Sequence, residues 1–445
     1  MKININKKRR RISAKGKLKL QHTSINKKKK RRISAKDEEE TTILTRQQHL
    51  SNVLPHDIML DILSRLPVEP LLRFRSVSRS WNYLIRKDHY FINMHLSRSQ
   101  IQPTVKETLM FFDTKGKSGL YSLDYNQKSI RLVPPIHRDL RSRYICTKDD
   151  YIWGICNGLI CTGNISNMSL CISNPSTAEY RKVPYFKGST TELKKVPCTE
   201  EIFEFSCHGF GYNPNADDYV VLKLTTYQAE EHQFLSGVTV YSLRNNSWRR
   251  IQNIPYEVFY LLPGQFVNGS LHWLAYSKMI SIGDEEDKFE VAKYAILAFE
   301  ITTENFLEVP MPESAESVEA QFGCFMYVSQ YQGKFCLFQD NNITTSLFDL
   351  TTSFDLWVMN EYRVKESWVK LFNIQNPDNT RGPFTDFLLC LTKEGSILMQ
   401  SYSSGGLILY DLKDTSGSDI LDVKIAKKLG TVHSYVPSIS RCQFD

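Results

Sequence analysis

Beyond about residue 105, one short β-type pattern returns six times along the chain. Each copy has an apolar run, a polar turn and a second run, and the clearest copies stop at a Val-Pro or Ile-Pro pair. The copies start at Leu120, Leu170, Val238 and Ile296, with weaker ones at Thr345 and Leu407. Between them a Gly-bearing turn introduces another apolar strand, as in CNGLICTG at 156 and VNGSLHWLAY at 267. Each pair of patterns supplies about four strands, which predicts a mostly antiparallel β-domain.

The spacing of the repeats predicts how these strands are arranged. Equivalent points at Tyr121, Ile172, Tyr241, Phe299, Phe348 and Tyr410 lie 51, 69, 58, 49 and 62 residues apart. A single four-stranded unit cannot bury both faces, so such units stack around an axis, which also protects their strand edges. We therefore predict a β-propeller-like domain, in which a strand at 109–112 pairs with a segment near 433–436 to close the ring. An irregular β-sandwich or barrel is the alternative.

Residues 54–86 have a helical pattern instead. Pro55 suits the first turn of a helix, Asp57 places a carboxylate near the positive end, and apolar residues then recur at helical spacing up to Leu66. A second helix is expected to begin with Pro70 in its first position, and a third to start from Ser78 as N-cap. A module this small seldom forms its own core, and its apolar side chains cannot all face inward. The surplus apolar surface predicts an interface.

The N-terminal region carries most of the positive charge. Residues 1–36 contain 16 Lys and Arg and no acid, so the remainder has 40 of the 56 basic residues against all 48 acidic ones, a net charge of −8. Like charges at this density predict a disordered tail over residues 1–48. Ser13 and Ser34 each follow a basic run typical of basophilic kinase sites. The tail fits a nuclear localisation signal, a weak nucleic-acid clamp or a solvated segment with no dedicated role.

The remaining composition limits compartment and chemistry. No run approaches the roughly 18 apolar residues of a membrane helix, and the N-terminus lacks the apolar core of a secretory signal. We therefore expect an intracellular protein, in the cytoplasm, the nucleus or both. Ten cysteines without a CxxC pair and widely spaced histidines predict buried thiols, with no metal or cofactor site. Cys207 beside His208 is not expected to form a nucleophile and base pair, since neighbours on a strand point to opposite faces.

The helical segment resembles the F-box motif over nearly its whole length, which would span residues 49–97. The match runs from Leu54-Pro55 through Leu66-Pro67 to Trp81. One position departs, because plant F-boxes often have cysteine where Ser78 stands. The resemblance implies docking onto the adaptor Skp1, which links F-box proteins to a cullin scaffold and a RING ubiquitin ligase. The implied Skp1 anchors are Leu54, Pro55, Ile58, Ile62, Leu63, Leu66, Pro67, Leu71, Leu72, Phe74, Val77 and Trp81.

Residues 105–440 resemble the F-box-associated, kelch-like domain of plant F-box proteins, on phrases such as SNPSTAEYRKVP, GFGYNPNADDYVVLKL and VNGSLHWLAY. The resemblance implies that this β-domain is the substrate receptor, without naming the target. Two charged stretches, 186–205 and 277–293, are interpreted as inserted loops. Such loops on a rigid scaffold usually carry specificity.

The two resemblances imply an α+β multidomain chain, with a three-helix F-box before a β-propeller-like domain. Its implied role is the non-catalytic substrate-recognition subunit of an SCF (Skp1-cullin-F-box) E3 ubiquitin ligase, with an unidentified target protein. Two alternatives remain. One is a Skp1-binding or scaffold protein without ligase function, and the other is a nucleic-acid-associated protein that binds through the tail.

Overall fold

The computed structural model describes residues 55–101, 108–113, 119–124, 129–133, 150–164, 169–186, 205–230, 233–258, 263–282, 289–316, 326–340, 353–375, 388–391, 396–400, 407–411, 418–421 and 432–442. The chain divides after Leu66 into two compact units, residues 1–66 and 67–445. The predicted tail with Ser13 and Ser34 lies outside the described residues, as does Leu54.

Four helices occupy the start of the described chain: α1 (His56–Ser64), α2 (Val68–Phe74), α3 (Arg79–Lys87) and α4 (His89–Ile101). Ser78 is the N-cap of α3, as predicted, and its hydroxyl accepts the Trp81 N–H at 3.1 Å. The position predicted for Pro70 is wrong, because α2 already begins at Val68. Proline is still tolerated there, since N–H groups of the first turn have no intrahelical acceptor.

Helix α4 is an addition to the three helices that the sequence predicts. Asp88 separates α3 from α4 with an extended backbone, and its side chain accepts the Phe91 N–H at 2.9 Å. An Asp in this position ends one helix and caps the next.

The described residues after α4 form six antiparallel sheets, here named blades 1 to 6. Blade 1 contains β1 (Thr108–Asp113), β2 (Gly119–Asp124), β3 (Ser129–Leu132) and β25 (His433–Tyr435). Blade 2 contains β4 (Asp150–Cys156), β5 (Leu159–Asn164), β6 (Ser169–Asn174) and β7 (Glu179–Val183). Blade 3 contains β8 (Phe205–Asn213), β9 (Asp218–Glu230), β10 (Gln233–Ser242) and β11 (Ser247–Ile254).

Blade 4 contains β12 (Glu257–Val258), β13 (Gln265–Val267), β14 (Ser270–Ile282), β15 (Phe289–Glu300) and β16 (Asn305–Val309), and the short helix α5 (Glu313–Glu316) follows it. Blade 5 contains β17 (Met326–Tyr331), β18 (Lys334–Asp340), β19 (Ser353–Met359) and β20 (Trp368–Gln375). Blade 6 contains β21 (Leu388–Leu391), β22 (Ser396–Gln400), β23 (Leu407–Asp411) and β24 (Ser418–Leu421).

The innermost strands bring the sheets together in a closed ring. Strand β4 contacts β8, β8 contacts β13, β13 contacts β17, β17 contacts β21, β21 contacts β25, and β25 contacts β4. Apolar clusters fill the spaces between blades 2 and 3, 3 and 4, and 4 and 5. Blades 3 and 4 therefore bury both of their faces. The predicted β-propeller is confirmed, and the sandwich and barrel alternatives are excluded.

The repeat prediction holds for blades 1, 2, 3, 4 and 6. Tyr121, Ile172, Tyr241, Phe299 and Tyr410 all lie on the third strand from the centre of their blade. Phe348 lies outside the described residues, and the third strand of blade 5 is β19. Val358 there pairs with Val369, as Phe299 pairs with Phe306 in blade 4.

One predicted loop is a hairpin. Most of the stretch 277–293 belongs to β14 and β15, which stay paired from Ser270–Glu300 to Ile282–Phe289. In β15, Phe289 and Val291 lie on either side of Glu290, an alternation that suits an extended strand. Of the other predicted loop, 186–205, only its first and last residues are described.

Tight hairpin turns explain the Gly-bearing phrases of the repeat. Asn157-Gly158 and Asn268-Gly269 both have positive φ at two successive residues, 52° and 73°, and 50° and 76°. Such a turn matches the twist of the flanking strands, and Asn-Gly is its preferred pair. Gly158 has a second reason to be glycine, because a Cβ would lie 2.3 Å from the Ser438 hydroxyl oxygen.

The ring closes between the two ends of the propeller domain. Strand β25 pairs with β1 in the register Thr108–Tyr435, Leu109–Ser434 and Met110–His433, which confirms the predicted closure. The chain then continues onto blade 2, where Asn174, which is fully buried, donates to the carbonyls of Ser438 at 3.0 Å and Ser440 at 2.8 Å. The side-chain oxygen of Asn174, Oδ1, also accepts the Ser176 N–H at 2.8 Å. One side chain therefore joins a turn of blade 2 to the C-terminal segment.

His272 makes a second long-range contact, between blades 4 and 5. Its ring is fully buried, with Nδ1 donating to the Gln265 carbonyl at 3.1 Å and Nε2 lying 2.6 Å from the Tyr362 hydroxyl. The ring also lies 4.4 Å from the Phe335 ring. Burial lowers the pKa of His272 to about 4, so the imidazole is neutral near pH 7.

Replacing Asn174 should destabilise the ring closure. In Asn174→Ala the buried carbonyls of Ser438 and Ser440 lose their donor, and we expect the free energy of unfolding to fall by about 2–4 kcal/mol. Chemical denaturation of the full chain measures this loss. The matched control is Asn245→Ala, an exposed turn position, which should change stability by less than about 0.5 kcal/mol. Equal effects of the two substitutions would contradict the role given to Asn174.

The free energy of unfolding should decrease as the pH is lowered, because the buried imidazoles of His272 and His433 resist protonation in the folded protein. The unfolded chain binds a proton at His272 near the ordinary pKa of about 6.5, whereas the folded protein does so only near 4. This stabilisation is therefore fully present above pH 6.5 and is lost as the pH falls towards 4. Burial lowers the pKa of His433 to about 4 as well, so it acts in the same direction.

Denaturation midpoints at several pH values test this expectation. His272→Gln should be less stable than the wild type at pH 7.5 yet lose less stability between pH 6.5 and 5, because one proton-linked group is gone. His56→Gln, on the exposed start of α1, is the control and should run parallel to the wild type. If His272→Gln also ran parallel, the linkage to His272 would be wrong.

Candidate functional site

Helix α1 has apolar side chains on two sides. Leu60 and Leu63 are buried, whereas Ile58 and Ile62 are each 47% exposed. Residues four apart lie on the same face of a helix, one turn from each other. Burying a side chain of this type contributes about 1.5–3 kcal/mol, so leaving two of them in water is costly for an isolated chain. Within the part of the chain that the structure describes, Ile58 and Ile62 form an exposed apolar ridge.

Helices α2 and α3 combine a buried contact with an exposed turn. Leu71 is fully buried, and the Phe74 and Trp81 rings meet edge to face at 5.5 Å. Val77, in the turn between the two helices, is 61% exposed. The ring pair joins the two helices, and the Val77 N–H donates to the Phe74 carbonyl at 3.0 Å within the turn.

The structure sorts the predicted anchors into three groups. Pro55, Ile58, Ile62, Pro67 and Val77 are exposed, while Leu66, Leu72, Phe74 and Trp81 are half-buried. Leu63 and Leu71 are buried and present no side-chain surface in this conformation. The role of the exposed and half-buried anchors in Skp1 binding stays a prediction, and so does that of Leu54, which is not described.

Two exposed aromatic residues were missed by the sequence reasoning. Tyr83 on α3 is 60% exposed and Tyr90 on α4 is 70% exposed. Both stand outside the apolar stripe, next to polar or charged residues. That position in the pattern was the only available signal, and it does not separate a binding residue from an ordinary surface tyrosine.

Two polar contacts join α3 and α4 to blades 2 and 3 of the propeller. The Arg86 guanidinium lies 3.7 Å from the Glu179 carboxylate of blade 2, and the His89 ring lies 3.3 Å from the Asp217 carboxylate of blade 3. Arg86, His89 and Asp217 are exposed, which keeps each contribution to about 1 kcal/mol or less, whereas Glu179 is only 14% exposed. They fix an orientation more than they add stability.

The innermost strands surround a cavity on the propeller axis. Gln265, Tyr327, Ser329 and His433 line it, and the Gln265 amide donates to the Tyr327 hydroxyl at 3.5 Å. The His433 Nε2 atom is buried and has no hydrogen-bond partner in the described chain. Since burial lowers the pKa of His433 to about 4, its ring is neutral near pH 7. These groups suit hydrogen bonding to a polar group that enters the cavity.

Cys207 and His208 lie on opposite sides of β8, as predicted. Cys207 packs in the apolar cluster between blades 3 and 4, with Leu271 and Trp273, while the His208 ring lies 4.6 Å from Trp153 of blade 2. Burial raises the pKa of the Cys207 thiol well above its ordinary value, so it is not a thiolate at neutral pH. Among the described residues, no three His, Cys, Asp or Glu side chains come together as a metal site. No helix in the described ranges is both long and apolar enough to cross a bilayer.

Comparison with known proteins matches both parts of the chain. The model of the F-box domain matches residues 52–93, and that of the F-box associated beta propeller domain matches residues 110–442. Among curated relatives, F-box protein CPR1 of Arabidopsis thaliana is 26% identical over 383 residues, covering 82% of this chain and 84% of that protein. The F-box/kelch-repeat protein At3g23880 of the same plant is 27% identical over 379 residues, covering 82% and 90%.

Among solved structures, a chain of the nidogen/laminin complex aligns with a TM-score of 0.35 and 10% identity, covering 75% of this chain and 99% of that chain. The propeller-domain model alone covers more than half of the sequence, and the six-sheet ring agrees with it. The chain therefore belongs to the family of F-box proteins that carry an F-box-associated β-propeller domain.

Proposed function

We propose that this protein is the substrate-recognition subunit of an SCF-type E3 ubiquitin ligase. In this proposal the F-box binds Skp1, and through it the cullin and RING subunits, while the propeller holds a target protein. The observation that carries the proposal is the exposed ridge of Ile58 and Ile62 inside the residues that match the F-box domain. A partner surface that covers the ridge would recover the free energy that the isolated chain forgoes.

The mechanism proposed for the subunit is tethering. Holding the target beside the ubiquitin-conjugating enzyme raises the effective concentration of its lysines, which accelerates transfer without any catalytic group from this chain. The thioester chemistry would belong to the other subunits. We also propose that the protein acts in the cytoplasm, the nucleus or both.

Substituting the ridge should abolish Skp1 binding. In the double variant Ile58→Asp, Ile62→Asp the interface loses two apolar side chains and must bury two carboxylates, so we expect the Kd for purified Skp1 to rise about 100-fold or more. Calorimetry with the full chain measures the change. Because both side chains are already exposed, the variant should unfold at nearly the wild-type denaturant concentration.

The matched control is Val369→Asp, Leu371→Asp on β20. These two side chains are 43% and 40% exposed, so the control makes the same chemical change on the outer edge of blade 5. It should bind Skp1 as the wild type does. An unchanged affinity of the α1 variant would contradict the interface, and purified Skp1 complexes that never recruit cullin would favour a scaffold instead. Leu71→Ala is unsuitable as a test because Leu71 is fully buried.

A further inference from the structure

The stretch RSVSRS, which runs from the end of α2 into α3, contains three serines. Ser76 is exposed, whereas Ser78 and Ser80 are half-buried. The Ser78 hydroxyl accepts the Trp81 N–H at 3.1 Å and lies 2.9 Å from the Ser80 hydroxyl. The Ser76 hydroxyl donates to the Arg73 carbonyl at 2.7 Å on the surface of the turn. Of these three hydroxyl groups, the one on Ser76 is therefore the accessible one.

Two arginines precede Ser76 at short range. Arg73 stands three residues before it and Arg75 one residue before it, and residues 70–80 contain no acid. Arg73 is exposed, and the Arg75 guanidinium donates to the Asn82 side chain at 3.3 Å. Arginines at these positions are typical of basophilic kinase sites, and guanidinium groups also pair well with a phosphate once it is attached. Sequence and exposure thus agree on the same serine.

The turn around Ser76 has to open before a kinase can hold this segment in an extended form. Two backbone bonds close it, from the Ser76 N–H to the Arg73 carbonyl at 3.1 Å and from the Val77 N–H to the Phe74 carbonyl at 3.0 Å. Both bonds lie at the C-terminal end of α2, which has seven residues. The end of so short a helix opens at low cost, without unfolding of the propeller. Ser76 is therefore within reach of an enzyme in the free protein.

The residue that follows Ser76 lies on the proposed Skp1 surface. Val77 is 61% exposed and is one of the predicted anchors. A phosphate on Ser76 adds about 1.5–2 negative charges and three strong acceptor oxygens. A partner that covers Val77 would have to remove water from this phosphate, which is far more costly than removing it from a hydroxyl. The free chain keeps the phosphate in water, so the modification disfavours the bound state alone.

We propose that Ser76 is a phosphorylation site and that a phosphate there prevents the F-box from binding Skp1. In the reaction the Ser76 oxygen displaces ADP from the γ-phosphorus of ATP, and the hydroxyl proton passes to the base of the kinase. This inference rests on the proposed function, because it takes Skp1 as the partner that covers Val77. It makes assembly of the ligase, instead of capture of a target, the regulated step.

Site-specific incorporation of phosphoserine tests the effect on binding. The full chain with phosphoserine at position 76 should bind purified Skp1 about tenfold or more weakly than the unmodified protein, as measured by calorimetry. The matched control has its phosphoserine at position 247. Ser247 is exposed at the start of β11 in blade 3 and also follows an arginine, Arg244, by three residues. This control should bind Skp1 as the unmodified protein does, and equal affinities of the two phosphorylated proteins would overturn the proposal.

The variant Ser76→Ala separates the added charge from the lost hydrogen bond. It removes the bond to the Arg73 carbonyl and adds no charge, so it should bind Skp1 with wild-type affinity. A loss of affinity as large as that caused by phosphoserine would assign the effect to the geometry of the turn, and the proposal would be wrong.

Labelling by a purified basophilic kinase with Mg²⁺ and ATP tests access to Ser76. Mass spectrometry should find phosphate on Ser76 of the free full chain, and saturating Skp1 should slow its addition about tenfold or more by covering the turn. A synthetic peptide of residues 70–82 is the positive control. Labelling of the peptide without labelling of the protein would mean that the turn stays closed, and it would overturn the proposal, as would a peptide that is not labelled.

Two arginine variants test what directs the kinase. Arg73→Met should slow the labelling of Ser76 about tenfold or more, because it removes the charge three residues before the serine. Arg79→Met removes an exposed arginine three residues after Ser76 and should leave the rate within about twofold of the wild type. Equal rates for the two variants would contradict the role given to Arg73.

Skp1 binding by the unmodified protein keeps the two proposals apart. If this protein binds Skp1 and the chain with phosphoserine at position 76 binds equally well, the Ser76 proposal alone is wrong. If the unmodified protein does not bind Skp1, the proposed function is wrong, and control of assembly through Ser76 fails with it.

Discussion

The need to bury both faces of every small sheet determines most of this structure. A four-stranded sheet with apolar residues on its two faces is covered only when another sheet packs on each side, and a ring meets that condition for every member at once. The apolar clusters lie between blades for this reason, from Trp153 and Phe210 in one interface to Leu337 and Ile296 in another. The ring in turn depends on the pairing of β25 with β1, since an unclosed ring would expose one face of two blades and two strand edges.

The sequence was sufficient for the parts of the fold that depend on local patterns. The turn at Asn157-Gly158 and the Ser78 cap follow from the preferences of a few neighbouring residues, and both were predictable. The start of α2 was missed because proline is acceptable at several positions of a first turn, so Pro70 did not fix the boundary. The repeat point predicted at Phe348 in blade 5 lies outside the described residues and stays a prediction.

The candidate sites were harder to predict because they depend on residues far apart in the sequence. Ile58 and Ile62 were identified, but only the packing shows that they are exposed while Leu63 and Leu71 are buried. The axial cavity needs Gln265 from blade 4, Tyr327 from blade 5 and His433 from blade 1. No pattern within one segment of the sequence predicts that residues from different blades line the same cavity.

The C-terminal position of β25 also affects how the protein is made. A ribosome synthesises blades 2 to 6 before the last dozen residues emerge, and until then blade 1 lacks its inner strand and Asn174 lacks its two carbonyl acceptors. A product that ends before β25 keeps an open edge and an uncovered face, which are features that chaperones and proteases recognise. The ring can therefore close only after residues 433–435 have been made, long after the strand β1 that they pair with.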